Sequence, residues 1–190
     1  VNDSFLFYFS EAEAYLGKNL LQQNALKIYV DKLLNLDIDL LNTLDKKELM
    51  IYGVEKELNA ELAISSNGKA IKVYIKGTAD RIDDFNGMYR IIDYKSSVKD
   101  TDKFEFTNFE TLFTDTDYDK MFQLFMYAWM AWKNNLAVAT QLAPCIIPFK
   151  VFEKQPRIIK FNKQPLVFTD ELLNEFESYL VKYIETMLDA

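Results

Sequence analysis

Along residues 55–95 apolar and polar positions alternate, and two Asn-Gly pairs interrupt the alternation. Period-two alternation marks a strand with one buried face. Asn-Gly marks a two-residue hairpin turn, because a type I′ turn needs positive φ at both central residues. Three strands follow, turning at Asn67-Gly68 and at Asn86-Gly87. Such turns also fix register. Ser66 faces Lys69 across the first turn, which places Glu55 opposite Asp80. Phe85 faces Met88 across the second, which places Asp80 opposite Asp93. Residues directly opposite share a face, so Glu55, Asp80 and Asp93 are expected in one row. Lys95, two residues beyond Asp93, shares their face. The other face carries Val54, Leu58, Leu62 and Ile64, then Ile71, Val73, Ile75, Gly77 and Ala79, and reads as buried.

Elsewhere the spacing of apolar residues is helical. Residues 3–16 suit a helix with aromatic packing through Phe5, Phe7, Phe9 and Tyr15. Residues 19–36 carry Leu20, Leu21, Leu26, Tyr29, Val30, Leu33 and Leu34 near helical spacing, and a polar connection over 37–47 leads into the sheet. Residues 96–119 are long for a connection and are expected to hold a short helix near 109–113. Their Phe104, Phe106, Phe109 and Phe113 suit either a substrate-facing flap or a surface loop with its aromatics tucked onto the core. Residues 118–134 predict a strong helix, on which Gln123 and Tyr127 share a face one turn apart. Two further strands are read over 139–152 and 157–161, with Pro144 and Pro148 confining the first to an edge, an end or a bulge. Residues 169–188 form a last amphipathic helix with Thr169 as its N-cap.

Composition narrows the class. A chain of 190 residues gives one domain with room for a substantial core. No apolar run approaches the length of about 18 residues that spans a membrane, and the single Cys145 suits a reducing cytosol and a buried, inert thiol. The net charge of −7 argues against a general DNA-coating role, since non-specific affinity for DNA comes from Lys and Arg on phosphates.

The acidic row changes that picture. Like charges directly opposite one another destabilise a sheet, and a divalent cation removes the penalty. Hard cations such as Mg²⁺ take a few carboxylates plus water. Asp80 and Asp93, with Glu55, therefore form a candidate metal site with an amine beside it.

Four pieces then occur in order: Val54-Glu55-Lys56-Glu57-Leu58, Gly77-Thr78-Ala79-Asp80-Arg81-Ile82-Asp83, Ile92-Asp93-Tyr94-Lys95 and Gln123-Leu124-Phe125-Met126-Tyr127. In these the chain resembles the PD-(D/E)XK nuclease superfamily in its RecB-like branch, and most of all the AddB-type nuclease domains of helicase–nuclease repair complexes. The resemblance covers residues 19–188 and is most specific over 55–127. It implies an α/β fold with a restriction-endonuclease-like core, a mixed central sheet of about five strands flanked by helices. It implies a Mg²⁺- or Mn²⁺-dependent DNA nuclease in the cytoplasm, an exonuclease module working on single-stranded ends beside a helicase subunit or helicase-like region. Asp80 and Asp93 would hold the metal, with Glu55 a further or water-mediated ligand and the Tyr94 backbone carbonyl another. Lys95 would serve the attacking water, and Gln123 and Tyr127 would look onto the metal site.

The chain departs from the RecB-like pattern in two ways. It has no histidine, where that branch carries a histidine ligand upstream of the sheet, and one cysteine, where an iron–sulfur cluster needs four. The expectation is a fragment that lacks the N-terminal part of a larger nuclease domain and holds no iron–sulfur cluster. Glu11 and Glu13 are candidate substitutes for the histidine, or plain solvated helix acids. Arg81 and Asp83 point away from Asp80 by alternation, and Asp83 faces Arg90 across the turn. That pair reads as support for the site, contributing about 0.2–1 kcal/mol if exposed. Three competing readings are a catalytically silent DNA-binding or scaffolding module, a CRISPR-associated RecB-like nuclease, and an interaction domain with an acidic face. The intact Asp80, Asp93 and Lys95 speak against the first, and Lys95 with the aligned turns against the last.

Overall fold

The structure, a computed structural model, describes residues 6–7, 16–42, 48–99, 101–149 and 156–188. Most of the helix expected over 3–16, with Glu11 and Glu13, lies outside these residues. The contacts divide the chain into two compact units, residues 1–47 and 48–190.

In the first unit helix α1 runs Gly17–Asn42. It is longer at both ends than its pattern predicts. The expected polar connection from Asp37 is helical as far as Asn42, because Ile38, Leu40 and Leu41 continue the apolar spacing and no Gly or Pro stops it.

The second unit is built on a five-stranded mixed sheet in the order β1-β2-β3-β4-β5, the architecture expected. Its strands are β1 Leu49–Ser66, β2 Lys69–Phe85, β3 Met88–Lys95, β4 Leu142–Pro148 and β5 Arg157–Ile158. Both Asn-Gly turns form, with Asn67, Gly68, Asn86 and Gly87 all at positive φ as type I′ geometry demands. Ser66 pairs with Lys69 and Phe85 with Met88, as the turns predict. β3 and β4 pair in parallel from Tyr89↔Leu142 to Lys95↔Pro148. A parallel pair needs a long crossover, and here it contains helices α2 (Phe109–Thr114) and α3 (Asp119–Lys133). β4 has β3 on one side and only the short β5 on the other, so its two prolines cost few ladder bonds. The single strand read over 157–161 is broken instead. Lys160–Phe161 leaves the main sheet to pair, as β6, with β7 Gln164–Pro165.

Helix α4, Asp170–Leu188, closes the unit. Thr169 caps it as read, its hydroxyl accepting from the Leu172 N–H at 3.1 Å. The core lies between the sheet and helices α2, α3 and α4. Trp129, Phe125, Phe176 and Leu62 are all fully buried there, each contributing about 1.5–3 kcal/mol by leaving water. Of the two readings of the loop before α2, the tucked one is what forms. Phe106 and Phe109 are buried against Phe125, and Phe113 packs on Phe122 and Phe176.

Candidate active site

The ladder between β2 and β3 ends at Arg81↔Ile92, one pair short of Asp80 and Asp93. There the Asp80 side chain takes over from the backbone: its Oδ2 accepts from the Tyr94 N–H at 2.5 Å. Asp80 is half-buried and Asp93 is buried. The alternation of β2 also slips at this step. Ala79 and Ile82 join one core cluster although they lie three residues apart, and strict alternation would send them to opposite faces.

Across the sheet, β1 is irregular at the same level. Val54↔Arg81 and Lys56↔Ala79 keep the register set by the first turn, but Glu55 and Asp80 between them do not pair. Glu55 is exposed and has φ of 49°, a left-handed backbone that side chains like its own seldom adopt. The expected row of three acids is therefore not formed. Among the described residues, no group of three or more acidic, histidine or cysteine side chains is gathered closely enough to hold a metal ion. The turn register was correct. The inference from register to face failed, because both strands leave regular pleating at this point.

Asp93 is the hub of what does form. Lys95 Nζ forms an ion pair with Asp93 Oδ2 at 2.6 Å, and that buried oxygen accepts no hydrogen bond from any other group. On the other oxygen, Gln123 Nε2 donates to Asp93 Oδ1 at 3.0 Å and to the Tyr127 hydroxyl at 2.9 Å. The Tyr127 hydroxyl in turn donates to the Thr78 carbonyl at 2.8 Å and sits 3.3 Å from Asp93 Oδ1. Burial, and then the neighbouring Asp93 charge, hold the Tyr127 phenol well above the ordinary tyrosine range, so it remains a protonated donor. Gln123 and Tyr127 thus reach the sheet from one face of α3, as their spacing predicts.

The same helix explains the chain order. Asp93 and Lys95 lie at the carboxyl ends of the two parallel strands, opposite Ile146 and Pro148, the end where open α/β sheets bind ligands. The helix returning between those strands carries the polar pair to that end.

Thr78 and the Tyr94 amide were not expected in the site. Both act through the backbone, which leaves no mark in side-chain identity.

Behind the site, the Asp83 carboxylate takes two hydrogen bonds from Arg90, at 2.6 and 2.8 Å, and lies 2.7 Å from Arg81 Nε. The Asp83–Arg90 pairing was expected, but all three side chains are buried. The weight of an exposed pair does not apply. A buried set is costly to desolvate, and costlier to break.

A family model described as the PD-(D/E)XK nuclease superfamily matches residues 10–190. The chain belongs to the PD-(D/E)XK nuclease superfamily. A comparison with curated proteins gives no match. One solved structure, titled "Crystal structure of SSO0001", is 22% identical, covering 98% of this chain and 71% of that one, with a TM-score of 0.38. A structural similarity that low adds nothing to the fold described above.

Nucleases of the PD-(D/E)XK superfamily typically use divalent metals. The residues present fit one. Asp93 Oδ2 is buried and, beyond its ion pair with Lys95, has a lone pair left for a cation, and Asp80, bonded to the Tyr94 amide, supplies a second hard oxygen donor. Two carboxylates, with water and a substrate phosphate, are the usual complement of protein-bound Mg²⁺. Among the described residues no helix is long and apolar enough to cross a membrane.

Proposed function

We propose that this chain is the nuclease module of a RecB-like, divalent-metal-dependent deoxyribonuclease that cuts DNA phosphodiester bonds. The observation that carries the reading is the single buried carboxylate of Asp93, held at once by Lys95, Gln123 and Tyr127, with Asp80 tied to the next residue of the same strand. Asp80 and Asp93 would hold Mg²⁺ or Mn²⁺, with the Tyr94 carbonyl as a further oxygen. Glu55 is left to a water-mediated role at most, since it does not join the other acids. The bound ion supplies Lewis-acid polarisation of the phosphate and a lowered pKa for a water.

The chain's own residues do the rest. Lys95 Nζ, fixed beside Asp93, orients the attacking water and stabilises charge that develops on phosphorus oxygens. Gln123 locks the Asp93 carboxylate in one orientation, leaving Oδ2 for the ion. Tyr127, anchored on Thr78, locks the Gln123 amide.

The finer reading is of an exonuclease module, AddB-like, acting on single-stranded ends beside a helicase-like partner in cytoplasmic DNA repair. It draws on the ordered motifs and on the net charge of −7, which leaves DNA binding to other parts of the assembly. The test is digestion of end-labelled single- and double-stranded DNA by the full-length protein with Mg²⁺. Cleavage that stops with chelator and is lost in Lys95→Ala supports the reading. Cleavage indifferent to chelator, or undiminished in Lys95→Ala, overturns it.

A further inference from the structure

Gly77 lies in β2 next to Thr78 and packs against α3. Its φ is not positive, so no unusual backbone calls for glycine there. Space does. A Cβ built on Gly77 comes 3.1 Å from Met130 Cε and 3.3 Å from Tyr127 Cε1, and glycine in a strand often marks such a close approach.

The two neighbours differ. Met130 Cε ends a flexible side chain that can turn aside. The Tyr127 ring is rigid, and its hydroxyl is fixed at 2.8 Å from the Thr78 carbonyl and 2.9 Å from Gln123 Nε2. A push on Cε1 moves that hydroxyl as well. Gln123 spends its two amide protons on Asp93 and on Tyr127. A displaced hydroxyl takes away the acceptor of the second amide proton, and the Gln123 side chain, held then by Asp93 alone, is free to swing from its seat.

We propose that Gly77 is a positioning residue: by lacking a side chain it seats the Tyr127 ring where its hydroxyl keeps the Gln123 amide turned toward Asp93. The consequence for cleavage rests on the nuclease reading above, whereas the seating of Gln123 can be observed without it.

The test is Gly77→Ala in the full-length protein, with two readouts. The first is the Gln123 side-chain NH₂ pair in a ¹⁵N–¹H spectrum, identified by its loss in Gln123→Glu. The second is steady-state cleavage. Gly77→Ala is expected to shift the Gln123 pair and to lower kcat about 10-fold, with KM within about twofold. Met130→Ala added to Gly77→Ala is expected to restore neither. In a Tyr127→Ala background, Gly77→Ala is expected to have no further effect on kcat. An unmoved Gln123 pair, or full restoration by Met130→Ala, overturns the proposal. If Gly77→Ala alone fails to fold, Gly77→Ala with Tyr127→Ala decides it: recovery of the fold supports the ring as the obstacle, and no recovery overturns it. Absence of cleavage by the wild type removes the nuclease reading and leaves the spectrum to decide this one.

Discussion

At the scale of single residues, the site depends on how one buried carboxylate shares its partners. Tyr127→Phe removes the donor to Thr78 and the acceptor of the second Gln123 proton while keeping the ring. A net hydrogen bond is worth about 1 kcal/mol. A urea melt should show a loss of about that size, and cleavage should fall about 10-fold through the freed Gln123 amide. Asp83→Ala is the contrasting case. It leaves the Arg81 and Arg90 guanidinium groups buried without that carboxylate, and breaking a buried set of this kind costs about 3–5 kcal/mol. Its effect belongs to stability. The urea midpoint should drop sharply, and more than for Tyr127→Phe.

At the scale of elements, the hairpins and caps were legible because their causes are local. Asn-Gly fixes a turn within two residues, and Thr169 caps α4 within three. Thr169→Ala should cost about 1 kcal/mol in a thermal melt, with cleavage unchanged, since α4 contributes no atom to the contacts around Asp93. The misread elements depend on longer-range causes. The Asp37 to Asn42 segment looked like a connection by polarity, yet helix continues there for want of a stop. The strand over 157–161 carried one pattern, but its halves find partners in two different sheets. The pleat slip at Asp80 and the left-handed Glu55 are of the same kind. Alternation assumes a regular strand, and the motif acids sit where both strands are irregular.

At the scale of the whole molecule, Cys145 reports on the fold. Burial, offset in part by Arg90, pushes its thiol up to about 12 from the ordinary 9.0. In the unfolded chain the thiol ionises near that ordinary value, so above it the unfolded state binds fewer protons than the folded one. Stability is unaffected below pH 9.0 and falls as pH rises from there toward about 12. Urea midpoints measured across that range should decline, and Cys145→Ala should make the decline shallower, the part due to the raised Tyr127 phenol remaining. A thiol reagent at neutral pH should react only as fast as the protein opens.

The motif set was readable along the chain because order and spacing survive without coordinates. The assembly around Asp93 was readable only in part, because two of its contacts are backbone atoms of Thr78 and Tyr94. The central claim is that Asp93 organises a metal-dependent cutting site, and its most direct test is Mg²⁺-dependent cleavage of labelled DNA by full-length protein carrying Asp93→Asn. That variant keeps the size and the fold while removing the charge. The expected result is a loss of cleavage of at least about 100-fold, with the melting temperature little changed. Cleavage at the wild-type rate by folded Asp93→Asn protein would contradict it.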